Sequence, residues 1–135
     1  MSTSNIRHAM NKLIKILILE DSATDAVLME DELQEAAIPF VSKVVFKQED
    51  FVRELQDFSP DLILSDYDLP QYNGALALAR VKSHYSHTPF ILVTGAIDEC
   101  LANEIIIKGA DAFVMKSQLH KLAPAVRKVM NIAAP

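Results

Sequence analysis

Three acidic positions, one hydroxyl and one amine stand out by where they fall in the chain. Glu20-Asp21, Asp66, Thr94 and Lys116 each stand at the end of a short apolar run: Ile14–Leu19, Leu62–Leu64, Phe90–Val93 and Phe113–Met115. A single polar residue at such a point is usually the exit to solvent. As a set these residues are chemically complementary. Carboxylates about 4 Å apart repel each other by about 4 kcal/mol per pair at an effective dielectric of ~20. A fold keeps such a cluster when a cation sits in it or when the pKa values shift. Hard carboxylate oxygens suit Mg²⁺, which takes one or two protein carboxylates and recruits a phosphate. An amine neutralises one phosphoryl oxygen and a hydroxyl hydrogen-bonds another.

Strands must bring these residues to one rim. The runs are near-continuous and aliphatic, which suits strands buried on both faces of a parallel sheet. A weaker run, Val41–Phe46, ends in Lys47-Gln48, an ordinary solvated surface. Amphipathic stretches lie between the runs. One is expected from Ser22 to Ala37, with Ser22-Ala-Thr-Asp25 as a variant capping box. A short one carries Phe51, Val52, Leu55 and Phe58, and another covers Ala75–Lys82. Leu101, Ile105 and Ile106 mark a fourth, ending at Gly109 as its C′ residue. Leu119, Leu122, Ala123, Val126, Val129 and Met130 form one stripe of a last helix, with Ser117 as candidate N-cap. The order is β-α repeated five times, which implies an α/β fold with a doubly wound five-stranded parallel sheet and five helices. Ligands of such sheets bind at the carboxyl ends of the strands, where the polar set falls.

Composition narrows the function classes. The chain has 135 residues, 50% hydrophobic and 23% charged, the profile of a globular domain. Its net charge of -5 offers no clustered basic footprint for nucleic acid. No apolar run approaches the ~18 residues of a membrane span. The single cysteine, Cys100, fits a reducing compartment, and the expected location is cytoplasmic. Residues 1–13 read as a flexible lead and 14–135 as one domain. His8, His84, His87 and His120 share no metal-ligand spacing, Cys100 is expected to be structural, and Met29, Met115 and Met130 are expected to fill the core.

With these residues in view, the chain resembles the receiver domain of two-component response regulators over about residues 14 to 131. The resemblance rests on Glu20-Asp21, on Asp61-Leu-Ile-Leu-Ser-Asp66-Tyr-Asp-Leu-Pro70 with Gly74, on Val93-Thr94-Gly95-Ala96, and on Phe113-Val-Met-Lys116. Pro70 and Gly74 stand four and eight positions after Asp66, the family's spacing from its phosphoacceptor, which selects Asp66 over Asp68. The resemblance implies a flavodoxin-like strand order of 2-1-3-4-5. It implies that Asp66 takes a phosphoryl group from a histidine kinase or histidine phosphotransfer protein. Asp21 and Asp66 would bind Mg²⁺ directly, with the backbone carbonyl of Asp68 as a third ligand and Glu20 acting through water. Lys116 would pair with Asp66 and then with the phosphoryl group. Thr94 would move toward that group, and Phe113 would rotate inward in response. A protein partner would dock on the face of the fourth helix, fifth strand and fifth helix.

The chain departs from the family in three places. Ser117 replaces the proline that usually follows the lysine, so a trans Lys116–Ser117 bond and an altered loop are expected. Phe113 lacks a tyrosine hydroxyl. Asp68 and Ala96 occupy positions that tune phosphoryl lifetime in the family. Two other function classes compete. A haloacid-dehalogenase-like phosphatase would use Asp66-Tyr67-Asp68 as its paired aspartates, but that family places the pair on the first strand. A pseudo-receiver would bind partners without phosphate, but such modules usually lose the acidic pair, the aspartate or the lysine. The leading expectation is a self-phosphorylating and self-dephosphorylating switch that turns over no external substrate.

Overall fold

The computed structural model describes residues 12–95 and 98–134. Five parallel strands form the central sheet: β1 (Ile14–Leu19), β2 (Phe40–Val45), β3 (Leu62–Ser65), β6 (Phe90–Thr94) and β7 (Ala112–Met115). Their order is β2-β1-β3-β6-β7, which is the expected 2-1-3-4-5. Helices α1 (Ala23–Glu35), α2 (Gln48–Asp57), α3 (Gly74–His84), α4 (Glu99–Ile107) and α5 (Leu122–Met130) connect or follow them. The lead expected over residues 1–13 lies outside the described residues as far as residue 11, as does Ala96. Among the described residues, no helix is long and apolar enough to cross a membrane.

Side chains of successive strand residues point to opposite faces, and the core divides accordingly. Ile16, Ile18, Leu62, Leu64, Ile91 and Val93 pack under α1 and α5, against Met29, Leu33, Leu122 and Val126. Leu17, Leu19, Ile63, Phe90 and Leu92 pack under α2, α3 and α4, against Phe51, Leu55, Leu78, Val81 and Ile105. Both faces of the central strands are therefore dry, as their unbroken apolar runs require. The edge strand β2 is mostly exposed or half-buried, which explains its weaker pattern.

Three local features differ from the sequence expectation. A two-residue antiparallel ribbon, β4 (Asp68–Leu69) with β5 (Tyr72–Asn73), projects between β3 and α3. Pro70 begins its turn and Gln71 takes a left-handed φ of 65°. The lysine leads not into α5 but into a 3₁₀ segment, Lys116–Lys121, with a kink at Gln118. Ser117 makes no side-chain cap, and α5 starts at Leu122 uncapped. No peptide bond among the described residues is cis, so Lys116–Ser117 is trans as expected for a non-proline. Cys100 is exposed on α4 and fills no packing role. Gly109 does end α4 as expected, at φ 114°, a conformation that a side chain resists.

Candidate functional site

The sheet register brings the polar set together. Leu19 pairs with Ser65, so Glu20 and Asp66 leave the sheet side by side. The Asp66 N–H donates to the Leu19 carbonyl at 2.9 Å, which fixes that alignment. Thr94 pairs with Met115, so Lys116 emerges beside the end of β6. Oxygens of Glu20, Asp21 and Asp66 all lie within 4.8 Å of one another. Glu20 and Asp66 are buried and Asp21 is exposed, so the group opens to solvent on one side.

Lys116 supplies the opposite charge. Its Nζ lies 2.5 Å from Glu20 Oε1, 2.7 Å from Asp25 Oδ2 and 2.9 Å from Asp66 Oδ2. The contacts with Asp25 and Asp66 are hydrogen bonds. The contact with Glu20 Oε1 is the shortest of the three and pairs that buried oxygen with the same ammonium. Glu20 Oε2 accepts from the Ser22 N–H at 3.1 Å. Burial pushes the Glu20 carboxyl from 4.5 up to about 7; the Lys116 ammonium and the Ser22 N–H oppose that rise, and Asp66 adds to it. Burial alone would lower the Lys116 ammonium, but Asp25, Asp66 and Glu20 together hold it above the ordinary lysine value. The described carboxylates at the other rim behave differently. Asp61 accepts from the Lys15 N–H at 2.9 Å and Asp111 from the Phe90 N–H at 2.8 Å, each satisfying the start of a neighbouring strand.

Asp66 is anchored on both oxygens, Oδ1 by the Tyr67 N–H at 2.6 Å and Oδ2 by Lys116. Gly74 shapes the wall beside it. A Cβ there would stand 2.8 Å from the Asp66 carbonyl oxygen and 3.1 Å from Tyr67 Cα. Only a bare backbone lets α3 start this close, which gives the spacing from Asp66 to Gly74 a steric reason. Asn73 then caps α3 by accepting from the Leu76 N–H at 2.8 Å.

Thr94 is buried at the end of β6, between the strands that carry Asp66 and Lys116. Asp68 lies in β4 with an exposed side chain, outside the carboxylate group. Phe113 pairs with Leu92 on the edge strand β7 and is 40% exposed, so it is not the core aromatic that a strand position usually implies. His84, His87 and His120 are exposed and join no metal-binding group among the described residues.

Asp25 is the residue that the sequence did not single out for this site. Its position in a capping box assigned its carboxylate to the Ser22 N–H. The cap is half made, since Ser22 Oγ accepts from the Asp25 N–H at 3.2 Å. The Ser22 N–H is taken by Glu20 instead, and the Asp25 carboxylate turns to Lys116. The one signal available was its place in the first turn of the helix that directly follows the acidic pair.

Residues 16–127 match the family described as the response regulator receiver domain. The chain belongs to that family. Chemotaxis protein CheY of Bacillus subtilis is 25% identical over 118 residues, which cover 87% of this chain and 98% of that protein. Regulatory protein AtoC of Escherichia coli is 37% identical over 77 residues, 56% of this chain but only 17% of AtoC. Receivers thus match this chain both as nearly whole proteins and as small parts of longer ones. Among solved structures, the signal receiver domain of a Vibrio parahaemolyticus protein superposes with a TM-score of 0.80 at 25% identity, covering 89% of this chain and 92% of that one.

Proposed function

We propose that this receiver domain, residues 14–135, accepts a phosphoryl group on Asp66 from a histidine kinase or histidine phosphotransfer protein. The observation that carries the reading is the group of Glu20, Asp21 and Asp66 around Lys116, open to solvent at the carboxyl rim of the sheet. The donor set fits Mg²⁺. It consists of hard carboxylate oxygens, one from each of three residues, all within 4.8 Å of one another, with two of the residues buried and one exposed. Asp21 and Asp66 would ligate the ion directly, joined by the Asp68 backbone carbonyl, with Glu20 acting through water. When bound, the ion offsets the charge of the carboxylates and the incoming phosphoryl oxygens.

The chain's own residues do the rest. A carboxylate oxygen of Asp66 forms a bond to phosphorus as the donor's P–N bond breaks, and the imidazole leaves. Lys116 passes from the Asp66 carboxylate to a phosphoryl oxygen and stabilises the charge spread over the transition state. The Thr94 hydroxyl turns toward another phosphoryl oxygen. The space it vacates admits Phe113 from its half-exposed position, which alters the face of α4, β7 and α5 that a downstream partner reads. Hydrolysis returns Asp66 to its carboxylate, and no external substrate is turned over.

Neither competing class is favoured by a specific observation. The acidic pair ends β1 and Asp66 ends β3, the reverse of the phosphatase arrangement. Each acidic and basic residue that pseudo-receivers lack is present. Intact-mass spectrometry after incubation with acetyl phosphate and Mg²⁺ tests the reading. The expected result is one added phosphoryl group, lost with Asp66→Asn and with a chelator. An equal gain in Asp66→Asn would remove Asp66 from the role, and no gain under activating conditions with the cognate kinase would remove the function.

A further inference from the structure

Two cations claim the same carboxylates in this site. Glu20 and Asp66, which with Asp21 form the group fitted to Mg²⁺, also hold Lys116 at 2.5 and 2.9 Å. An ammonium lodged between them and a divalent ion on them repel each other strongly. The third contact of Lys116 is different. Asp25 holds the ammonium at 2.7 Å and stands outside the Mg²⁺ group. Its side chain is 35% exposed, and its carboxylate leaves its own helix start to make this contact across the chain.

We propose that Asp25 is a positioning residue that keeps the Lys116 ammonium beside, rather than within, the Mg²⁺ group. This rests on the reading of Glu20, Asp21 and Asp66 as the metal site. As the ion enters, Lys116 gives up Glu20 and keeps Asp25, so it remains near Asp66 without opposing the metal. Without Asp25, the anchors left to Lys116 among the described residues are Glu20 and Asp66, both members of the Mg²⁺ group. The rival account is that Asp25 adds negative charge near the site, which would attract Mg²⁺ whether or not Lys116 were there.

A double-mutant cycle on the full chain separates the two accounts. Mg²⁺ affinity is measured by calorimetric titration for wild type, Asp25→Asn, Lys116→Met and the double variant. The expected result is that Asp25→Asn weakens Mg²⁺ about tenfold when Lys116 is present and less than about twofold in Lys116→Met, a coupling of ordinary size for charges in one network. Asp25→Glu, which keeps the charge, restores most of the affinity, and a loss caused by misfolding would not be restored this way. Equal weakening in both backgrounds would overturn the proposal in favour of the simple field. Unchanged affinity in Asp25→Asn would overturn it as well. A wild-type chain that binds no Mg²⁺ would overturn the metal reading and this inference with it, whereas either of the two preceding outcomes leaves that reading standing.

Discussion

Glu20 carries the clearest consequence for a single residue. Its carboxyl is pushed up to about 7 from 4.5, chiefly by burial. A raised acid means that the folded chain holds its proton more tightly than the unfolded chain does. The stabilising contribution is full below about pH 4.5 and is lost as pH rises through about 7. Urea unfolding of the metal-free protein at about pH 5 and about pH 8 checks this, and Glu20→Gln is expected to flatten the difference between the two. At this scale the sequence was informative wherever a residue ends a strand. Glu20, Asp21, Asp66, Thr94 and Lys116 could be grouped because a parallel sheet delivers its carboxyl ends to one rim. Asp25 escaped because it sits in a helix, where a local capping partner competed with a partner 91 residues away.

The turn between β3 and α3 shows what an element contributes. The ribbon β4–β5 and the bare backbone of Gly74 bring the start of α3 against Asp66. Gly74→Ala would press a methyl onto the Asp66 carbonyl, and the expected cost is about 1–3 kcal/mol in a denaturant series. The same variant should slow phosphoryl acceptance from acetyl phosphate beyond what lost stability explains, because the displaced group is the backbone of Asp66. Helices were legible from hydrophobic period and the central strands from unbroken apolar runs, since both faces of β1 and β3 are packed. The ribbon was not, because two-residue strands carry no period to read. The start of the last helix was also misplaced. Ser117 has the right chemistry for an N-cap, but the 3₁₀ turn and the kink at Gln118 lie between it and α5.

For the whole molecule, Lys116 offsets only part of the charge of Glu20, Asp21, Asp25 and Asp66, so a divalent cation that joins them is expected to stabilise the fold. Mg²⁺ at about 100 times its Kd is expected to add about 2.7 kcal/mol to the unfolding free energy. For a chain of this size that raises Tm by about 10 °C, measurable by calorimetry, and Asp66→Asn should lose most of the gain. The architecture itself was readable because each level agreed: run lengths, strand-helix alternation and the placement of polar residues all require the same sheet. The uncapped 3₁₀ turn after β7 has a further effect. Lys116 belongs to that turn and to none of the strand pairings, the last of which joins Thr94 to Met115. A rearrangement of the turn would therefore break no ladder bond of the sheet. What ties the lysine to the fold is instead the three carboxylates around it and Leu119 of the same turn, packed against the core. Substitutions on the opposite face of the sheet, under α2, α3 and α4, can therefore change durability without touching those ties, whereas substitutions around Leu119 change both.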